Sequence, residues 1–203
     1  MTMRIQKLMT RHPALAPLQA DIERAFTMLC DCYRAGGKLL LAGNGGSAAD
    51  ADHWTGELLK GFASKRPLSS AEREGLPADM ADKLQGSLPA IPLTVFPALT
   101  TAFNNDVDPE LTYAQLVLGL GKPGDVFIGL STSGNARNVC AAAEVARARG
   151  LHCLALTGSG GGRLATLVDL CLRAPATETY QIQEYHLPIY HTLCLMLEDE
   201  FFA

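Results

Sequence analysis

The stretch Lys38-Leu39-Leu40-Leu41-Ala42-Gly43-Asn44-Gly45-Gly46-Ser47-Ala48-Ala49-Asp50-Ala51-Asp52-His53-Trp54-Thr55-Gly56-Glu57 decides the fold. Its first five residues are a short apolar run ending at a Gly-rich turn, the pattern of a strand buried on both faces. The residues from 48 to 60 contain no Pro and read as a helix. A Gly-rich turn between strand and helix lets backbone N–H groups approach an anion and aims the positive end of the helix dipole at it. Ser47 adds a hydroxyl donor. One turn further on, His53 and Glu57 stand at i and i+4, on one face of the helix. An anion cradle and a His/Glu pair on the same helix point to a phosphorylated ligand held beside a reactive centre.

The same rhythm continues along the chain. Apolar runs at 91–95, 125–130, 152–157 and 169–173 read as further buried strands. Helices are expected at 15–35, 48–60, 111–119, 136–149, 162–167 and 180–202. The alternation predicts a doubly wound parallel α/β sheet with ligands at the carboxyl ends of its strands. A length of 203 residues suits one domain with a full core. One segment breaks the rhythm. Residues 64–90 are polar, carry Pro67, Pro77 and Pro89, and are too long for an ordinary βα connection. They read as an insertion with short helices at 71–74 and 78–85, either a surface excursion or a lid or interface arm.

Bulk composition narrows the class. Apolar residues make up 48% and charged residues 19% of the chain, as in ordinary globular proteins. The formal net charge of −4 carries no basic excess, so nucleic acid is not an expected partner. No apolar run approaches the roughly 20 residues of a membrane span, and the basic N-terminus lacks a following apolar region, so neither a membrane nor a signal peptide is expected. The cysteines Cys30, Cys32, Cys140, Cys153, Cys171 and Cys194 form no CxxC pair. They read as reduced thiols of a cytoplasmic protein.

A second anion cradle follows the third expected strand: Ser131-Thr132-Ser133-Gly134-Asn135. Three successive hydroxyl residues at a strand end, opening into a helix, suit a phosphate monoester without a neighbouring cation. A third Gly-rich loop, at 157–163, reads as a tight turn. No GxxxxGK[ST] occurs and no GxGxxG opens the first βα unit, which disfavours P-loop and dinucleotide-binding proteins. The terminal helix carries Gln183-Glu184-Tyr185-His186-Leu187-Pro188-Ile189-Tyr190-His191. Gln183 and His191, with His53 and Glu57, form a set of N and O donors suited to zinc. Eight residues separate Gln183 from His191, about 12 Å of helix rise. One ion then needs a bend at Pro188, or ligands from two subunits. His186 is left between a ligand role and a core role, and His12 and His152 read as structural or surface residues.

These motifs resemble the SIS (sugar isomerase) domain family, and within it the sedoheptulose 7-phosphate isomerases. The resemblance is carried by GNGGSAADADHWTGEL at 43–58, AFNND at 102–106, STSGN at 131–135, LTGSGGG at 156–162 and QEYHLPIYH at 183–191. STSGN marks the SIS domain in general, whereas HxxxE with QExHxxxxH is more specific to the heptose branch. The resemblance implies one SIS domain over 1–203, a flavodoxin-like three-layer α/β/α sandwich with a five-stranded parallel sheet, an N-terminal helix over 12–36 and the insertion at 64–90. It implies a homotetramer with active sites at subunit interfaces. It implies conversion of sedoheptulose 7-phosphate to D-glycero-D-manno-heptose 7-phosphate.

By position, the implied zinc ligands are His53, Glu57, Gln183 and His191. Ser47, Ser131, Thr132 and Ser133, with Gly45 and Gly46, would hold the phosphate. Asn44, Asp106 and Gln183 would line the sugar. Aldose–ketose isomerisation through an enediol needs a base, an acid and an oxyanion stabiliser. Glu57 is the expected base, with zinc ligation as a second role, and His191 the expected acid/base partner. The chain departs from the family at Ala136, where Ser is usual, and at Gln181 and Gly61, where Arg is common. These changes keep two alternatives open: an isomerase of another sugar phosphate, and a non-catalytic SIS protein that binds a sugar phosphate or a protein partner.

Overall fold

Proline divides the N-terminal segment. The structure, a computed structural model, describes residues 2–202. In place of one long helix it has α1 (Thr2–Arg11), a 3₁₀ stretch (Pro13–Leu18) and α2 (Gln19–Arg34). Pro13 opens the 3₁₀ stretch and Pro17 lies inside it. Neither can donate a helical N–H, so the expected helix over 12–36 breaks there.

The remaining elements are β1 (Leu39–Ala42), α3 (Gly46–Leu59), α4 (Ser70–Arg73), α5 (Ala78–Ala81), β2 (Ala90–Pro92), α6 (Pro97–Asp106), α7 (Thr112–Leu120), β3 (Val126–Leu130), α8 (Arg137–Ala148), β4 (His152–Thr157), β5 (Leu170–Arg173) and α9 (Thr179–Phe202). The strands form one sheet in the order β2-β1-β3-β4-β5, every pair parallel. This is the flavodoxin-like order, whose direction of winding reverses between β1 and β3.

Strand side chains alternate between two apolar cores. Leu39, Leu41, Val126 and Ile128 pack with α1, α2, α3 and α9 on one face. Leu40, Ala42 and Phe127 pack with residues of α7 and α8 on the other. Every residue of β1 and β3 is buried, which explains their uninterrupted apolar sequence.

Several expectations shift at element boundaries. Helix α6 went unread because it buries no residue and so shows no apolar period. The helix expected at 162–167 is only a 3₁₀ turn, Leu164–Thr166, after a Gly-rich lead-in with positive φ at Gly161 and Gly162. The second strand is shorter than 91–95. The helix expected at 78–85 stops at Ala81.

The insertion is pinched shut at its base. Gly61 N–H donates to Gln85 Oε1 (2.7 Å). Gly86 N–H donates to Arg66 O (2.7 Å), and Leu88 N–H to Leu58 O (3.0 Å). Pro67 and Gln85 form an antiparallel bridge. The true excursion is therefore 68–84, narrower than the expected 64–90, and residue 90 already belongs to β2.

Candidate active site

The two anion cradles leave the carboxyl ends of β1 and β3, neighbouring strands at the topological reversal, where open α/β sheets bind ligands. Together they line a cleft of about 370 Å³ that includes Gly45, Ser47, Ser131, Ser133, Ala136 and Gln183. Gly45 has φ +55 and Gly134 φ +66, backbone conformations that favour glycine. A Cβ at Gly134 would also collide with the Gly161 carbonyl. The 157–163 loop thus buttresses the second cradle: Leu164 N–H donates to Gly134 O (2.8 Å) and Arg163 N–H to Asn135 Oδ1 (2.9 Å).

Helices α3 and α8 both begin without a side-chain cap, since their N-cap residues are Gly45 and Ala136. Each helix start turns the positive end of its dipole toward the cleft, although Ser47 and Ala48 N–H already bond to Asn44 O and Gly45 O (3.0 Å each) and Val139 N–H to Asn138 Oδ1 (2.9 Å). Asn44 is tied across the reversal by a reciprocal pair of amide hydrogen bonds to Asn138, each 2.9 Å. Tyr113 Oη donates to Gly43 O (2.6 Å) and holds the same loop from α7. Sequence reading missed both supports. Neither residue lies in a motif.

A second patch lies further along α3 and α9. His53 Nε2 stands 3.1 Å from Glu57 Oε1. The rings of His53 and His191 are 5.0 Å apart at 82°, and Phe62 packs against His191 at 5.2 Å. Glu57 Oε2 and His191 Nε2 are buried and have no hydrogen-bond partner. Burial, reinforced by neighbouring His53, lowers the pKa of His191 and favours its neutral imidazole. Among the described residues no group of three or more His, Cys, Asp or Glu side chains is already arranged around a metal position.

Gln183 is placed with the first cradle, its amide packed so closely on Gly46 that a Cβ there would meet Nε2 at 2.6 Å. Asp106 is exposed at the end of α6, accepts a hydrogen bond from Asn105 (2.8 Å) and does not line the cleft. His186 is fully buried, with Nε2 3.2 Å from Thr157 O. Burial pushes its pKa down to about 4, so it is a neutral tether between α9 and β4.

An SIS domain family model matches residues 93–197, and a second SIS domain model matches residues 5–77. The phosphoheptose isomerase of Akkermansia muciniphila is 36% identical over 190 residues, covering 94% of this chain and 90% of that protein. The chain belongs to the SIS domain family and, within it, to the phosphoheptose isomerases. Two solved family members share its architecture. The phosphoheptose isomerase from Francisella tularensis superposes with a TM-score of 0.79 at 31% identity, over 93% of this chain and 91% of that one. The enzyme from Neisseria gonorrhoeae gives 0.77 at 32% identity, with the same coverage.

Proposed function

We propose that this chain isomerises sedoheptulose 7-phosphate to D-glycero-D-manno-heptose 7-phosphate. The observation that carries the reading is the spacing of the two patches on shared helices. Gln183 and His191 are about 12 Å apart in rise along α9, and Ser47 and His53 lie six residues apart on α3. An open-chain heptulose 7-phosphate carries its phosphate at one end and its reacting C1 and C2 at the other. The cradle residues Gly45, Gly46, Ser47, Ser131, Thr132 and Ser133 bind the phosphate through hydroxyl and amide donors. Asn44 and Gln183 line the cleft beside the cradle and would meet the sugar chain next to its phosphate.

At the reacting end, Glu57 removes a proton from C1 of the ketose, giving the enediol, and the proton returns at C2. His191, neutral and with a buried, unpartnered Nε2, exchanges protons with the substrate oxygens. The donor chemistry of His53, Glu57 and His191 fits a zinc ion; Gln183, the fourth expected ligand, packs on Gly46 at the phosphate cradle instead. Its support here is a pair of buried atoms with no hydrogen-bond partner: His191 Nε2 and Glu57 Oε2, the latter with Lys60 Nζ at 3.7 Å. When bound, such an ion supplies Lewis-acid polarisation of the substrate's carbonyl and hydroxyl oxygens.

We also assign a homotetramer with sites at subunit interfaces. Leu187 and Met3 are exposed apolar side chains on one groove that also includes Phe62 and His191, a surface for a second subunit to cover. A cytoplasmic setting accords with six free cysteines among the described residues, and no described helix is long and apolar enough to cross a membrane.

Ala136 lines the cleft at a position where the resemblance implied Ser, so the competing reading is a different sugar phosphate. A panel of ketose and aldose phosphates of five, six and seven carbons separates them. The expected result is the highest kcat/KM for the seven-carbon ketose; a preference of tenfold or more for a shorter sugar would reassign the substrate.

A further inference from the structure

The atoms behind His53 dictate which of its ring nitrogens faces the reacting end. Tyr190, on α9, places its Oη 3.0 Å from His53 Nδ1 and 3.2 Å from Asp50 Oδ1. Its ring is stacked on Trp54 with centroids 5.4 Å apart at 16°, and both side chains are fully buried. Packing therefore fixes the hydroxyl between the two partners.

A phenol has one proton to give, and an ionised carboxylate can only accept. A phenol, with an ordinary pKa of about 10, is protonated near neutral pH. Its proton goes to Asp50, which leaves an oxygen lone pair facing His53. Nδ1 must then carry the imidazole proton and donate it to Tyr190. Nε2 is left as a bare lone pair, 3.1 Å from Glu57 Oε1, another acceptor. Two acceptors at that separation repel each other unless a cation is shared between them.

We propose that Asp50 and Tyr190 form a relay that locks His53 in its Nδ1–H tautomer and so presents the Nε2 lone pair to a cation shared with Glu57 and His191. Both are positioning residues, acting through His53. The cation's role rests on the isomerase reading above, whereas the tautomer rests on Tyr190 giving its one proton to Asp50. Ligating histidines in metal sites characteristically donate their second N–H in this way, and loss of that partner costs about 10- to 100-fold in metal affinity.

The test reads the tautomer directly. Metal-free protein labelled with 15N-histidine is observed by long-range proton–nitrogen correlation at about pH 8, above the ordinary imidazole pKa. The expected spectrum assigns His53 a protonated Nδ1 and a bare Nε2. Tyr190→Phe keeps the ring on Trp54 and should shift His53 toward the Nε2–H form, with zinc affinity, read by competition with a chromogenic chelator, falling about 10- to 100-fold. Asp50→Asn can donate to the phenol oxygen and should reverse the relay, turning the phenol proton toward His53 and producing the Nε2–H form. An Nε2–H tautomer in the unmodified protein would overturn the proposal, as would a tautomer unchanged in both variants. If Tyr190→Phe does not fold, the unmodified and Asp50→Asn spectra decide. Tautomer shifts as expected in a protein that binds no zinc would sustain the relay and count against the metal reading instead.

Discussion

Arg66 Nε lies 2.8 Å from Glu198 Oε1, and both side chains are almost completely buried. The guanidinium also donates to the carbonyls of Leu58 (2.7 Å) and Glu57 (3.1 Å), the last turn of α3, and sits 4.7 Å over the ring of Phe202. Glu198 in turn accepts from the N–H groups of Phe62, Ala63 and Ser64. One ion pair thus closes the end of the helix that carries Glu57, anchors the base of the insertion to α9 and sets Phe62 against His191.

Removing one member leaves the other charge buried and unpaired, which costs about 3–5 kcal/mol. Glu198→Gln and Arg66→Met are each expected to lower the thermal midpoint by roughly 10 °C, measured by circular dichroism. A midpoint within 2 °C of the parent would show that the pair is not a clamp. The pH dependence carries a second signature. Burial alone would raise Glu198, but the Phe62 and Ala63 N–H groups and Arg66 outweigh it and hold the carboxyl below its ordinary value. A depressed folded pKa gives stability that is complete above the unfolded value, near 4.5, and is lost as pH falls through the folded one. Glu198→Gln should remove that acid-side slope.

The clamp also marks where the sequence stops being readable. Arg66 sits in a polar segment that reads as solvent-exposed insertion, yet it is fully buried, because its partner is 132 residues away on the last helix. Strands β1, β3 and β4 were legible because burial on both faces imposes continuous apolar runs. The two cradles were legible because close approach to an anion demands glycine and hydroxyls at a strand end. Local pattern cannot register pairings across the fold. Asp50, Tyr113, Asn138 and Tyr190 act only through partners that α7, α8 and α9 bring to them. Asp106, a motif position, stands exposed at the end of α6, outside the cleft of a single chain.

His186 offers a separate test of the core. Its folded pKa, about 4, lies below the ordinary imidazole value of 6.5. The unfolded chain therefore binds a proton first, and stability is complete above about pH 6.5 and falls as pH drops toward the folded pKa. The loss amounts to about 3 kcal/mol across that window. Urea midpoints of His186→Gln, followed from pH 7 to pH 4, are expected to lack this slope. An unchanged slope would assign it to another group.

The phosphate cradle predicts a binding effect. Ser131 is buried at the end of β3, and Ser133 Oγ accepts from Asn135 N–H (3.1 Å). Hydrogen bonds to a charged group are worth about 1.5–3 kcal/mol. Ser131→Ala is expected to raise the KM for the sugar phosphate by about 10-fold or more, with a smaller effect on kcat. A large fall in kcat at unchanged KM would place Ser131 at the reacting end instead.

Glu57→Gln keeps the shape of the side chain and removes the base. A general acid–base group contributes typically about 10²- to 10⁴-fold. kcat should fall by that factor, while binding of the sugar phosphate, read by calorimetry, stays detectable. Turnover within threefold of the parent would take Glu57 out of the catalytic role.

The most direct measurement follows sedoheptulose 7-phosphate in deuterium oxide by proton NMR, with the purified chain, with chelator, and with zinc restored. The expected record is solvent deuterium entering at C1 and C2 together with heptose phosphate product, abolished by chelator and recovered with zinc. No exchange and no product after zinc is restored would contradict the account.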